Sequence, residues 1–277
     1  MANSLPSVNQ ERPLGLIAGN GKFPLLFAKV ARDKGIKIVA VAIKGDTSRH
    51  ITGLVDKLFW IGPGQLQKLF EVFRQEGVKR AIMAGQVNPK NLFDKRLSPD
   101  DELRELFENI RDKKADTIFS AVADRLKVQG IDLIDSTTLL DEFLCPAGVL
   151  TKRSPTPQEW EDIRFGKEIA KAIAYFDIGQ TVVVKQKAVL AVEALEGTDN
   201  TILRGGKIGN GNAVVIKVSK PKQDMRFDIP VIGLRTVKKL ICAKVSCLAV
   251  EAGETLFLDK GSAVCLANKK GICIIAT

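Results

Sequence analysis

The sequence predicts an α/β protein of two α/β domains, an N-terminal Rossmann-like parallel sheet and a smaller mixed-sheet C-terminal domain, joined by a linker. Three observations point there. Short apolar runs of strand length alternate with helical patterns through the first half, as in a parallel sheet covered on both faces. The alternation lapses in the proline-rich stretch CPAGVLTKRSPTPQEW between Cys145 and Trp160. The chain has 277 residues, which is long for a single core. These signals set the first domain at 13–145, the linker at 146–157 and the second domain at 158–277.

In the first domain, LGLIAG (Leu14–Gly19) reads as a strand, followed by a Gly-Asn-Gly turn and a helical pattern over Pro24–Lys34. IKIVAVAI (Ile36–Ile43) is a second strand, apolar on both faces. KLFWIG supplies a third, Gln65–Glu76 an amphipathic helix, and RAIMAG (Arg80–Gly85) a fourth strand. Asp101–Lys113 and Thr117–Lys127 have helical patterns, and Ile131–Asp135 is a further strand. The second domain opens with a helix over Gln158–Tyr175, with Pro157 at its start. QTVVVKQKAVLAVEAL (Gln180–Leu195) is two β-rich runs around a Lys185–Lys187 turn, a hairpin. Ala213–Ser219 is a strand, a helix begins at Val237, and strands follow around LAVEA, TLFL and ICIIA.

Composition narrows the function. With 45% hydrophobic and 27% charged residues the chain is an ordinary globular protein. Its start is polar, without a basic segment leading into an apolar one, and no apolar run reaches the roughly 18 residues a membrane span needs. A soluble, cytoplasmic protein is expected. The formal net charge of +10 attracts polyanions. One Tyr, two Trp and no basic run interleaved with aromatics argue against nucleic acid. An anionic membrane surface or a phosphorylated ligand remains. The five cysteines lack paired zinc-knuckle spacing; Cys242, Cys265 and Cys273 are expected as small buried residues of a reducing compartment. His50 is the sole histidine and sits in what reads as a surface loop, so Cys–His and Ser–His mechanisms are not expected.

Two regions carry candidate chemistry. In GLIAGNGKFP, a strand, the turn Gly19-Asn20-Gly21 and a helix opening at Pro24 make an anion cradle, with helix N–H groups facing the ligand. The dinucleotide fingerprint is incomplete, because Pro24 replaces its third glycine and Lys44 its acid. IGPGQ (Ile61–Gln65) and AGQVNP (Ala84–Pro89) are further glycine loops after strands. In the second region, Glu196-Gly197-Thr198-Asp199 ends a β-run and caps a short helix. Arg204 and the glycines 205–206 and 209–211 follow, read as a flexible loop. The next strand delivers Lys217, then KPKQDMRFDIPVIG (Lys220–Gly233). Pro230 disfavours a helix there. An extended reading puts Met225, Phe227 and Ile229 on one face and Asp224, Arg226 and Asp228 on the other. Carboxylates for Mg²⁺ and cations for phosphate oxygens are what phosphoryl or nucleotidyl transfer requires, and a salt-bridged strand face gives the same pattern.

The strings GLIAGNGKFP, IGPGQL, MAGQV, FDIGQTVVVK, VLAVEALEGTDNTILRGG and KPKQDMRFDIPVIGLRTV resemble the LpxI-type UDP-2,3-diacylglucosamine pyrophosphatases, from about Leu14 to the C-terminus. The resemblance implies an enzyme of lipid A biosynthesis that hydrolyses the pyrophosphate of UDP-2,3-diacylglucosamine to UMP and 2,3-diacylglucosamine 1-phosphate (lipid X). A divalent cation, Mg²⁺ by expectation, would assist. It implies a cytoplasmic location peripheral to the inner membrane, with the lipid-linked nucleotide sugar, the anionic membrane surface and a second copy of the chain as partners. The essential aspartate of the family's Q-D-x-R-x-D-x-P motif falls on Asp224, which would organise the metal and the attacking water, with Asp228 as a second metal ligand or holding Arg226. Gly19, Asn20, Gly21, Glu196, Thr198, Asp199, Arg204, Lys217 and Arg226 fall at the substrate. The alternative is a non-catalytic α/β protein that binds a UDP-sugar or nucleotide.

Overall fold

The computed structural model describes residues 12–86, 98–112, 114–221 and 223–277, and groups them in two compact units. The first runs to Leu140 and takes in Met225–Phe227; the second comprises Asp141–Asp224 and Asp228–Thr277.

In the first unit, β1 (Leu14–Ala18), β2 (Ile38–Ile43), β3 (Lys57–Ile61), β4 (Arg80–Ala84) and β5 (Asp132–Leu133) form one sheet in the order β3-β2-β1-β4-β5. Every pairing is parallel. β1 and β2 are buried at every residue, as their unbroken apolar runs require. The helices are α1 (Phe23–Asp33), α2 (Leu66–Gln75), α3 (Asp101–Asn109) and α4 (Ala115–Val128). α2 buries Leu66, Leu69, Phe70, Val72 and Phe73, one stripe at helical spacing, in a core shared with α3 and α4. α3 starts where the Asp100 carboxylate accepts the Leu103 N–H at 2.9 Å. The strand order reverses between β1 and β4, the topological position at which doubly wound sheets bind ligands beyond the strand ends.

The second unit holds β6 (Gly148–Val149), α5 (Pro157–Tyr175), β7 (Thr181–Lys185), β8 (Ala188–Val192), α6 (Thr198–Ile208), β9 (Val214–Lys217), β10 (Val231–Ile232), α7 (Leu234–Cys242), β11 (Cys247–Val250), β12 (Leu256–Phe257), α8 (Lys260–Lys269) and β13 (Cys273–Ala276). Its main sheet is mixed, in the order β6-β13-β11-β9-β7-β8, and β10 and β12 pair separately. α5 packs its Ile163, Ala170 and Ala174 on one face of that sheet. The other face carries Ile202, Val237, Leu240, Ala263 and Ala267 of α6, α7 and α8.

Three expectations are corrected here. The stretch 146–157 contains β6, which pairs antiparallel with β13, so it belongs to the second unit's sheet. Its last proline instead opens α5: Pro157 occupies the first turn, and Thr156 and Glu159 close a reciprocal capping box. Gly205 and Gly206 lie inside α6, where a Cβ would come 2.6 Å from Val183 and 2.3 Å from the Ala243 carbonyl. They allow close packing, which outweighs their roughly 1 kcal/mol helix cost. Cys242 and Cys265 are exposed, because they lie on the outer sides of α7 and α8, while Cys273 is buried in β13.

The expected hairpin is present as β7 and β8. Gln186 and Lys187 between them both have positive φ, 51° and 58°, the primed turn that suits strand twist. Neither is glycine. The buried Asp162 carboxylate of α5 accepts their two N–H groups at 2.9 and 2.7 Å and holds the turn.

Candidate functional site

In the first unit the Gly19–Gly21 turn lies at the carboxyl end of β1. Gly19 N–H donates to Ala84 O and Asn20 N–H to Gln86 O, each at 2.8 Å. A Cβ on Gly19 would sit 2.8 Å from the carbonyl oxygens of Gly85 and Gln86. The turn is therefore bound to the loop after β4, and those two backbone donors are committed there. Gly21 has φ +96°, the left-handed region that favours glycine, and a Cβ there would meet nothing within 4 Å. The adjoining N-terminus of α1 has no side-chain cap, which leaves it suited to an anion. AGQVNP continues from Gln86 outside the described residues.

In the second unit, Glu196, Thr198, Asp199, Arg204 and Lys217 are brought around the first turns of α6. The buried Lys217 ammonium donates to Thr198 Oγ1 at 2.9 Å, and Thr198 donates to Glu193 Oε1 at 2.8 Å. Arg204 donates to Glu196 Oε1 and to Val192 O, and this hydrogen bond lowers the Glu196 carboxyl below its ordinary range. Asp199 accepts from Arg235 Nε at 2.7 Å. Gly197, at φ 81°, makes the sharp entry to the helix. Glu193 and Arg235 escaped the sequence reading, since a single acid in a β-run and an arginine in a helix carry no distinctive spacing.

The motif segment departs from the extended form expected of it. Met225, Arg226 and Phe227 form a turn, and Asp228 N–H donates to Asp224 O at 3.0 Å, a helix-like closure. The Phe227 ring packs on Phe119, centroids 5.7 Å apart, and both lie against the first unit's core cluster. Ser136 N–H donates to Met225 O at 2.9 Å and its hydroxyl reaches Arg226 O. The Arg226 guanidinium lies 5.8 Å from the Phe227 ring centroid. Asp224, Arg226 and Asp228 are all half-buried.

The root of this segment is fixed by a cluster not visible in the sequence. β9, β11 and β13 run parallel, so Ser219, Glu251 and Thr277, just past their ends, share one edge. Lys171 of α5 donates to Glu251 Oε2 at 2.7 Å and to Ser219 O at 3.0 Å. Ser219 N–H donates to the same carboxylate at 2.6 Å, and the Ser219 hydroxyl meets both Glu251 and Glu254. Burial opposes charge on Glu251, but Lys171 and Ser219 outweigh it and hold the carboxyl below its usual value.

Among the described residues no three His, Cys, Asp or Glu side chains gather into a metal cage. Mg²⁺ does not require one, because it is commonly held by one or two carboxylates together with substrate phosphates and water.

The LpxI N-terminal domain matches residues 13–143 and the LpxI C-terminal domain residues 146–275. The chain belongs to the LpxI family. The UDP-2,3-diacylglucosamine pyrophosphatase LpxI of Caulobacter vibrioides is 29% identical over 277 residues, spanning 95% of this chain and 97% of that protein. Among solved structures, the biotin carboxylase subunit of pyruvate carboxylase matches with a TM-score of 0.27 and 14% identity, over 67% of this chain and 38% of that one. The biotin carboxylase–β,γ-ATP complex of Campylobacter jejuni matches with a TM-score of 0.29 and 11% identity, over 73% and 43%. The chain thus spans less than half of either, and superposition this weak bears on neither site nor activity. Among the described residues, no helix is long and apolar enough to cross a membrane.

Proposed function

We propose that this chain hydrolyses the pyrophosphate bond of UDP-2,3-diacylglucosamine, adding water across the anhydride to release UMP and 2,3-diacylglucosamine 1-phosphate. The observation that carries the reading is the motif segment itself. It follows the carboxyl end of β9, is anchored at Ser219 by the buried Glu251 carboxylate and its partner Lys171, and closes from Asp228 onto Asp224 through a backbone hydrogen bond. Such closure holds the Asp224 carboxylate on a defined backbone, as a catalytic group requires. The relative from Caulobacter, named for this activity, supports the choice of substrate.

Asp224 is the group assigned to the chemistry, orienting the attacking water. Lys217, Arg204 and Arg226 supply positive charge for the phosphoryl oxygens, the kind of electrostatic help that dominates phosphoryl transfer. Glu196 and Thr198 hold two of these cations in place, through Arg204 and Lys217. Asp199 orders Arg235 at the start of α7. The Gly19–Gly21 turn and the uncapped N-terminus of α1 suit a phosphate or nucleotide group of the substrate. A divalent cation, Mg²⁺ in the first instance, would be held at Asp224 and neutralise charge on the pyrophosphate. The net charge of +10 suits approach to an anionic leaflet carrying a two-chain lipid.

The test separates the enzyme from the rival non-catalytic nucleotide-sugar binder. Purified protein is incubated with UDP-2,3-diacylglucosamine and Mg²⁺, and UMP is followed with time. Turnover that depends on Mg²⁺ is expected. Stoichiometric substrate binding without any UMP, under Mg²⁺ and Mn²⁺ alike, would establish the binder instead.

A further inference from the structure

The motif loop is clasped by its own first residue. Lys220 Nζ lies 2.6 Å from Asp177 Oδ1 and 2.9 Å from Asp228 Oδ2, and its side chain is only 14% exposed. Gln223 spans the same neck: its carbonyl oxygen accepts the Lys220 N–H and its amide donates to Asp228 O. Gln223 N–H also donates to Lys220 O at 3.1 Å, and Asp228 N–H to Asp224 O at 3.0 Å. The loop from Lys220 to Asp228 is therefore closed at the neck by one ion pair and several hydrogen bonds, with Asp224 inside the closure. Asp177, from the turn after α5, is the second counter-charge that holds the ammonium in place.

We infer that Lys220 and Asp228 are a positioning pair for Asp224, and that Asp228 is spent on this clasp rather than on the cation. The inference rests on the proposed hydrolase reading for its kinetic arm alone. An ammonium confined between two carboxylates at low exposure is expensive to leave unpaired, so the pair is formed before substrate or cation arrives. Asp228 Oδ2 is buried and accepts no hydrogen bond from the described residues, so the Lys220 ammonium at 2.9 Å is its counter-charge, and a cation there would have to displace that ion pair. Asp224 lies one helical turn before Asp228, and its carbonyl accepts the Asp228 N–H within the same closure. Lys220 thus acts through Asp228, and a misplacement of Asp224 by about 1 Å on its loss is enough to slow turnover about 100-fold.

The experiment uses Lys220→Met, Lys220→Arg, Asp228→Asn, the double variant Lys220→Met/Asp228→Asn, and Asp224→Asn. Amide hydrogen exchange over residues 219–229 is measured first, on the full chain without metal or substrate. Lys220→Met and Asp228→Asn are expected to accelerate exchange there to the same degree, the double variant no further, and Asp224→Asn not at all. UMP release is then measured across Mg²⁺ concentrations. Lys220→Met and Asp228→Asn are each expected to lower kcat about 10- to 100-fold, with KM and the half-activating Mg²⁺ concentration within about twofold of wild type. Lys220→Arg should recover most of the rate, and the double variant should match the singles. A half-activating Mg²⁺ concentration raised tenfold or more by Asp228→Asn, but not by Lys220→Met, would make Asp228 a ligand and overturn the inference. So would Lys220→Met exchange indistinguishable from wild type. Should Lys220→Met fail to fold, Asp177→Asn loosens the same clasp and is read in the same way. A wild-type chain that releases no UMP, yet shows the exchange pattern, would sink the hydrolase reading and leave the clasp standing.

Discussion

Replacing Glu159 with glutamine reads out how firmly α5 is bound into the second unit. Glu159 is buried, and burial alone would raise its carboxyl. Arg153 donates to both its oxygens, at 2.7 and 2.9 Å, and the Thr156 N–H donates at 2.8 Å. These bonds prevail and hold the carboxyl at about 2, against an ordinary 4.5. The folded value lies below the unfolded one, so the stabilisation is fully present above pH 4.5 and is lost as pH falls towards 2. At about 1.4 kcal/mol per tenfold change, it amounts to about 3 kcal/mol at pH 7 and about 1.5 kcal/mol at pH 3. Trp160, next to Glu159, reports on this unit alone once Trp60 of β3 is replaced by phenylalanine. Urea unfolding followed by Trp160 fluorescence should show Glu159→Gln less stable than its parent by about 3 kcal/mol at pH 7, the gap halving by pH 3. A gap that stays constant from pH 7 to pH 3 would mean that the loss is one of packing, and the electrostatic reasoning would be refuted.

Other perturbations have equally definite outcomes. Gly206→Ala would drive a methyl into the Ala243 carbonyl, and should destabilise the second unit by about 1–3 kcal/mol in the same urea assay, where an unchanged midpoint would contradict the close α6–α7 packing. Asp162→Ala removes the acceptor for two turn N–H groups, so exchange of the Gln186 and Lys187 amides should accelerate by at least tenfold while the first unit is unaffected. Lys171→Met leaves the Glu251 charge buried and should cost about 3–5 kcal/mol, of which Lys171→Met/Glu251→Gln should recover a part; a double variant as unstable as the sum of its singles would deny the coupling.

The parallel sheet of the first unit was legible because a strand buried on both faces must be apolar throughout, as Ile38–Ile43 is. The β7–β8 hairpin was legible from its two β-rich runs. The motif segment was misread for a physical reason. Residues Asp224–Asp228 alternate as a strand would, but Asp228 N–H closes onto Asp224 O and Phe227 packs against Phe119, and tertiary contacts of this kind override a local period of two. The α6 glycines were read as a loop because their use depends on Ala243 and Val183, more than twenty residues away in sequence on either side. Of the candidate site, the string Glu196–Asp199 and the aspartates of the motif were visible as clustered charge. Their partners Glu193, Arg235, Lys171 and Glu251 were not, since each reaches its place through the sheet topology and has no signature in local spacing.

The central claim, that Asp224 serves the hydrolysis of a nucleotide-sugar pyrophosphate, is tested most directly by comparing wild type with Asp224→Asn in one sample series. Phosphorus NMR would follow UDP-2,3-diacylglucosamine, UMP and the sugar 1-phosphate together, and calorimetry would measure substrate affinity for both proteins. The account predicts equal amounts of the two products from wild type, a rate at least a thousandfold lower, or about 4 kcal/mol in barrier, for Asp224→Asn, and affinity within about threefold. Full turnover by Asp224→Asn would contradict it.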